Sequence, residues 1–492
     1  MQQIQACNKS RHALAAEDHS ATYRYVMPHI ITRSKPTLDF IAPQYSAVVR
    51  WMGARIAPLW LRYQLRITDV ELVGSTELGQ LYEAFEAGNT RFLLAFRHPT
   101  TDDPPCVAHA LWNKLPQALS QTKIRLKHPP HTHFVYERGI PLWAGRWTGW
   151  LFSRLGGTPI RRGVLDTQGL RSIRNLFGSG QFPVAIAPEG ATNGHNELVS
   201  PIEPGIAQFG FWCLDDLHKA ERSEEVLIVP LGVQYRFVTA PWGALVERLA
   251  QLEQDTGLPA PEQPLTLRDG HPPSPAEDAQ LYDRLLRLGE HLLCEVETFY
   301  QTYYGCRLTP PEGTEQDSPE DNADFAARLK TLLGNALTVA EEAFGIKGKG
   351  SLSDRCRRVE QAGWDRIYRD EAVTDTSPLT HGLNNLIAEE ADLRIWHMRL
   401  VENLVSVTGR YVAEARTIDR YADTTLLMWK IVNQICGRRA AQRRYLGDRI
   451  VKITVGQPLS VSQRWDDYRA NRRQAVAALT QELQTAMVSL ID

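Results

Sequence analysis

Apolar and polar positions follow two different rhythms along this chain. In the first half, three short runs are apolar at almost every position: residues 92–96, 182–187 and 226–233. Runs of this length, without alternation, read as strands buried on both faces. Residues 71–74, 133–136 and 158–160 read as shorter extended pieces. Between them, helical spacing appears at 77–87, 108–115, 147–155, 168–177 and 209–217. Strands that alternate with helices predict an α/β fold with a mostly parallel sheet flanked by helices.

From residue 277 the rhythm is helical, with predicted helices at 277–304, 319–344, 352–371, 382–418 and 421–436. The stretch 255–279, rich in Pro, Gly, Gln and Asp, reads as a linker. One segment breaks the helical pattern. Residues 449–459 alternate and are β-branched, as a strand requires. A strand among helices leaves its backbone donors and acceptors unpaired, so it needs the sheet of the first half. The expected organisation is a flexible N-terminal arm over 1–43, an α/β domain over 44–254, a linker plus large helical insertion over 255–448, and a closing strand and helix over 449–492.

Composition narrows the function classes. With 492 residues and 43% hydrophobic positions the chain can build more than one core. A formal charge of −2 argues against nucleic-acid binding by bulk charge. The seven cysteines include no CxxC pair, which fits a reducing, cytoplasmic setting and gives no zinc signature. His128, His131 and His133 stand close together, but their spacing matches no common metal site, so no metal is expected. The first twenty residues lack the apolar core of a secretory signal, and no eighteen-residue apolar run predicts a membrane span. Residues 45–63 interleave Arg50, Arg55 and Arg62 with Trp51 and Trp60 on a helical repeat. That pattern suits an ordinary packed helix, kinked at Pro58, or a helix lying at a membrane surface.

Candidate chemistry collects where strands end. Pro99 cannot donate to a sheet, so the strand at 92–96 must stop near His98. Asp103 follows five positions later and can curl back to fix the imidazole tautomer. No serine or cysteine nucleophile stands beside the pair in sequence. His98 and Asp103 therefore suit general-base activation of a hydroxyl belonging to the substrate. Arg161 and Glu189 also fall at strand ends, where parallel sheets collect ligands.

Four blocks then resemble the glycerolipid acyltransferase superfamily, that of the 1-acylglycerol-3-phosphate acyltransferases. His98-Pro-Thr-Thr-Asp-Asp103 resembles its HX4D signature. Gly157-Thr158-Pro159-Ile160-Arg161-Arg162, Pro188-Glu189-Gly190-Ala191-Thr192 and Val229-Pro230-Leu231-Gly232 are similar to its second, third and fourth blocks. Val455-Gly456-Gln457-Pro458-Leu459 resembles the family's closing strand. The resemblance covers roughly residues 45–240 and implies an O-acyltransferase of phospholipid biosynthesis. A fatty acyl group would pass from an acyl thioester to a lysophospholipid hydroxyl, with 1-acylglycerol-3-phosphate as leading acceptor and phosphatidic acid as product. It implies His98 as base, Asp103 as its support, Arg161 and Arg162 on an acceptor phosphate, and Glu189 and Gly190 placing the acceptor glycerol. Amides at the start of the helix after His98 are candidate oxyanion donors. No cofactor is implied; acyl-CoA or acyl-carrier protein is the donor substrate, and a membrane surface is the expected partner, the protein being cytoplasmic and peripherally membrane-associated.

The third block departs from the family, with Ala191-Thr192-Asn193 where Thr-Arg-Ser is common. The missing arginine leaves open an unphosphorylated or different lysolipid acceptor. A non-catalytic lipid-binding scaffold is the reading from another class.

Overall fold

The computed structural model describes residues 33–491 apart from 162, 262, 309–322, 371–376, 406, 408 and 439–444. Eight strands form one sheet: β1 (Ile67–Val73), β2 (Thr90–Phe96), β3 (His133–Glu137), β4 (Thr158–Ile160), β5 (Val184–Ile186), β6 (Glu225–Phe237), β7 (Arg449–Val455) and β8 (Leu459–Ser460). Their order is β1-β7-β6-β2-β5-β3-β4, with β8 beside the start of β6. The five strands β6, β2, β5, β3 and β4 run parallel. β1 and β7 run parallel to each other, and β7 is antiparallel to β6. The result is an α/β protein with a mostly parallel, mixed sheet flanked by helices. β2 is buried at all seven positions, which is why its sequence shows no alternation.

β7 lies between β1 and β6, so the segment at 449–455 completes the sheet begun at residue 67. The long strand β6 changes partner midway. Leu227 and Ile228 pair with β8, and residues 231–237 pair with β7. Pro230 falls in the gap, where its missing N–H breaks no ladder. There the Pro230 carbonyl accepts from Gly456 N at 2.8 Å. A Cβ on Gly456 would stand 2.8 Å from Pro230 Cγ, so this turn needs a glycine.

Three expectations need correction. Residues 33–43 are not a free arm: Lys35 N donates to Ile367 O and Arg369 N to Lys35 O, both at 2.8 Å, which ties the segment to the end of helix Leu352–Ile367; residues 1–32 lie outside the described residues. The stretch after Thr256 is packed, because Leu265 and Leu267 are buried with Trp242 and Leu288. The helix expected over 382–418 spans Pro378–Leu404 and breaks before Tyr411–Glu414, with Gly409 at φ 72° between them. The helix Ala47–Gln64 runs through Pro58. Proline removes the N–H that would pair with Ala54 O, and Asn113 Nδ2 takes that carbonyl at 3.1 Å instead.

Candidate functional site

The parallel strands point their carboxyl ends the same way, and the residues that follow β2 and β5 meet there, while Arg161 after β4 turns to Asp166 and Asp365. His98 Nδ1 lies 2.9 Å from Asp103 Oδ2. Asp103 opens the helix Asp103–His109, so Pro104 and Pro105 occupy its first turn without cost to its hydrogen bonding. The carboxylate is fully buried and held from three more sides. Thr100 N donates to Oδ2 at 3.0 Å, Thr100 Oγ1 stands 3.5 Å from Oδ1, and the Tyr235 hydroxyl donates to Oδ1. As the acceptor, Asp103 fixes the imidazole proton on Nδ1 and leaves the Nε2 lone pair for a substrate. His98 keeps about a fifth of its side chain exposed, at the wall of a cleft.

Tyr235 is a site residue that sequence reasoning missed. It sits four residues past Leu231, on the part of β6 that outruns β2 and pairs with β7. The unbroken apolar run ends at Val233, yet Leu231, Val233 and Tyr235 share one buried face. Burial first, then the Asp103 charge, pushes the Tyr235 hydroxyl well above its usual range, so it stays a donor.

Glu189 supports the pair from the other side. Its Oε1 accepts from His98 N at 2.8 Å, and its Oε2 accepts from Ser200 N at 2.9 Å and Asn193 Nδ2 at 3.2 Å. Both oxygens are thus used inside the protein and the side chain is buried, so Glu189 positions His98 rather than reaching a ligand. Burial raises its pKa, with Arg97 pulling the other way. Gly190 does line the cleft, with φ 73°. Asn193, which stands where the family has serine after its arginine, turns inward to Glu189, Leu198 O and Ser200.

Arg161 follows β4. Asp166 Oδ2 holds its amide at 2.9 Å, and its Nη2 lies 3.3 Å from Asp365 Oδ1 on the helix Leu352–Ile367. Arg162 lies outside the described residues. The amides expected to serve as oxyanion donors are largely engaged: Thr100 N by Asp103, Asp102 N by Thr100 Oγ1 at 2.9 Å, and Asp103 N by Thr100 O at 3.4 Å. Pro104 and Pro105 carry none, which leaves Thr101, at the cleft wall, as the candidate from this turn. His131 uses both ring nitrogens, accepting from Trp112 Nε1 at 2.9 Å and donating to Leu155 O at 2.8 Å. Burial lowers its pKa to about 3, and it is a core residue.

Protein-family models, curated proteins and solved structures give no match to this chain. The four sequence blocks fall as follows in the fold. Block one carries His98 and Asp103, block two leads into Arg161, block three holds the His98 amide, and block four pairs Pro230 and Leu231 with Ala95 and Phe96 beneath His98.

The helical region grips the same site. Arg97 is fully buried and donates to His195 O at 2.7 Å, Leu198 O at 2.6 Å and Asn196 O, which fixes the loop after Gly190. Asp423, from the helix Ile418–Ile435, accepts from Asn196 N at 2.7 Å and from Tyr411 Oη at 2.8 Å. Burial pushes the Asp423 carboxyl up to about 7, with Asp419 and Glu197 adding to the rise. A carboxyl whose folded pKa exceeds its unfolded value contributes most below the unfolded value, and that contribution fades as pH rises towards about 7. Wild-type melting temperature is thus expected to fall between pH 5 and pH 8. Asp423→Asn keeps an acceptor oxygen and flattens that fall by an amount on the order of a few kcal/mol. Parallel melting curves for the two proteins across that range would refute the assignment.

Proposed function

We propose that this chain is an O-acyltransferase that moves a fatty acyl group from an acyl thioester to a lysophospholipid hydroxyl. The acceptor is 1-acylglycerol-3-phosphate and the product phosphatidic acid. The observation that carries the reading is the His98–Asp103 pair at the carboxyl ends of parallel strands, with His98 at the wall of a largely apolar cleft. Nε2 takes the acceptor proton as its oxygen attacks the thioester carbonyl. The tetrahedral intermediate then collapses, the C–S bond breaks, and the imidazolium returns the proton to the thiolate. No protein acyl intermediate is needed.

The cleft supports lipid-sized substrates. Its volume is about 2460 Å³, beyond the range of about 300–1,000 Å³ usual for one small ligand. Phe96, Trp112, Phe134 and Leu155 provide apolar wall. The helix Ala47–Gln64 packs Val49, Ala54 and Leu61 inward but leaves Trp51, Ile56, Leu59 and Trp60 about half exposed, and Trp147 and Trp150, which line the same cleft as Ile56 and Trp60, are exposed to a similar degree. That exposed rim suits docking on a membrane surface; among the described residues no helix is long and apolar enough to cross one. Trp51→Ser with Leu59→Ser is expected to weaken sedimentation with phosphatidylglycerol vesicles while the fold melts normally. Unchanged sedimentation removes this helix from the docking surface.

A second reading keeps the chemistry and changes the acceptor to an uncharged lysolipid, because Asn193 faces inward and the third block offers no arginine. The deciding assay uses purified protein, a labelled acyl thioester, and lysophosphatidate or monoacylglycerol in parallel. Transfer to lysophosphatidate supports the first reading, transfer to monoacylglycerol alone supports the second, and no transfer from either acyl-CoA or acyl-carrier protein rejects both.

A further inference from the structure

The third block lacks a cation, yet a cation stands beside it. Arg357, on the helix Leu352–Ile367, forms an ion pair with Glu203, and the pair lies against Gly190. A Cβ on Gly190 would come within 2.7 Å of Arg357 Nη2 and would collide with Glu203 Oε1. A Cβ on Gly163 would stand 2.6 Å from Arg357 O. Two glycines therefore let this helix press onto the loops that follow β4 and β5. Those loops carry Arg161 and Glu189, and Glu189 holds the His98 amide. The same helix brings Asp365 to Arg161.

We propose that Arg357 is a specificity-determining residue that receives the phosphate of the acceptor. The inference rests on the acyl-transfer reading and adds where the acceptor's charge is recognised. The helical insertion thus supplies in space the cation that the third block lacks in sequence.

The state of the two ion pairs supports this. Both arginines are the more buried partners, with side chains 21% and 25% exposed, whereas Glu203 is 36% and Asp365 61% exposed. The Arg357 guanidinium is held in place with Glu203 Oε1 buried against it, while Asp365 can turn to water. The Arg161–Asp365 pair, with its exposed carboxylate, is weak. A phosphate offers a guanidinium fork two charge-assisted hydrogen bonds and carries more charge than a carboxylate. Glu203 and Gly190 line the cleft, so a displaced Glu203 uncovers Arg357 at its wall. Glu203 then acts as a stand-in for the phosphate when the cleft is empty.

The test compares wild type, Arg357→Gln and Glu203→Gln, with acyl transfer to lysophosphatidate and to monoacylglycerol. In Arg357→Gln the ratio of kcat/KM for lysophosphatidate over monoacylglycerol is expected to fall about 10- to 100-fold, mainly through KM. Glu203→Gln is expected to lower KM for lysophosphatidate, since it removes the competing carboxylate. An unchanged ratio in Arg357→Gln overturns the proposal. A second readout needs no turnover: binding of glycerol 3-phosphate followed by tryptophan fluorescence, with Trp364 on the same helix at the cleft wall. Binding that Arg357→Gln abolishes, in a protein with no acyl transfer, keeps the anion site and rejects the reaction. Binding indifferent to Arg357 rejects the anion site whatever the reaction.

Discussion

His98→Ala is expected to lower the rate of acyl transfer by about 10²- to 10⁴-fold, the usual contribution of a positioned general base. The loss should appear in kcat, with KM for the thioester little changed, because the imidazole acts on the proton in flight rather than on the acyl chain. The fold should survive: His98 is partly exposed, and its backbone N–H still donates to Glu189 when the ring is gone. Asp103→Asn tests the support. Its carboxylate accepts from His98, Thr100 N and Tyr235, and an amide cannot accept from all three. If the amide nitrogen faces His98, it forces the proton onto Nε2 and removes the base. If the amide oxygen faces His98, the geometry is kept but the charge that stabilises the imidazolium is lost. Activity therefore falls either way, and stability falls too, since Asp103 is fully buried. The assay belongs well below the melting temperature of that variant. A His98→Ala protein with undiminished transfer places the chemistry elsewhere and leaves the scaffold reading standing.

The sequence made the centre of this site legible for a physical reason. An apolar run ended by His-Pro has few ways to sit in a parallel sheet, and an acid five residues on has few ways to avoid the histidine. The same logic located the runs that became β2, β5 and β6, because full burial writes itself as an unbroken apolar stretch. What stayed hidden depends on chain path rather than local pattern. Tyr235 reaches Asp103 across 132 positions, and nothing near Tyr235 marks it out. Glu189 looked like a ligand group by its place in a block, but its bonds run inward, and the direction of a carboxylate at a tight turn is not written in the turn. Arg357 sits within a run of arginines on an amphipathic helix. Only the packing of that helix on Gly163 and Gly190 separates it from its neighbours. The break between the helices Pro378–Leu404 and Tyr411–Glu414 is not visible in the sequence because apolar spacing continues on both sides of it.

Removing residues 449–492 is expected to unfold the α/β half, although those residues lie over 200 positions from β6 in sequence. β7 is an interior strand. Without it β1 loses its sheet partner and the second half of β6 becomes an open edge. The truncation also removes Val451, Ile453, Val461, Leu479, Leu483 and Met487, all nearly or fully buried in the two cores that flank the sheet. At about 1.5–3 kcal/mol for each large apolar side chain, the lost burial is on the order of 10 kcal/mol or more. A whole domain is stable by only about 5–15 kcal/mol, so the remainder cannot hold. The truncated chain should be insoluble or lack a cooperative melt. The point variant Ile453→Asp should weaken the melt in the same direction with the full chain present, since it buries a charge between β1 and β6. A truncated protein that melts like wild type and keeps its activity would mean that the α/β half closes without β7, and the topology described here would have to be abandoned.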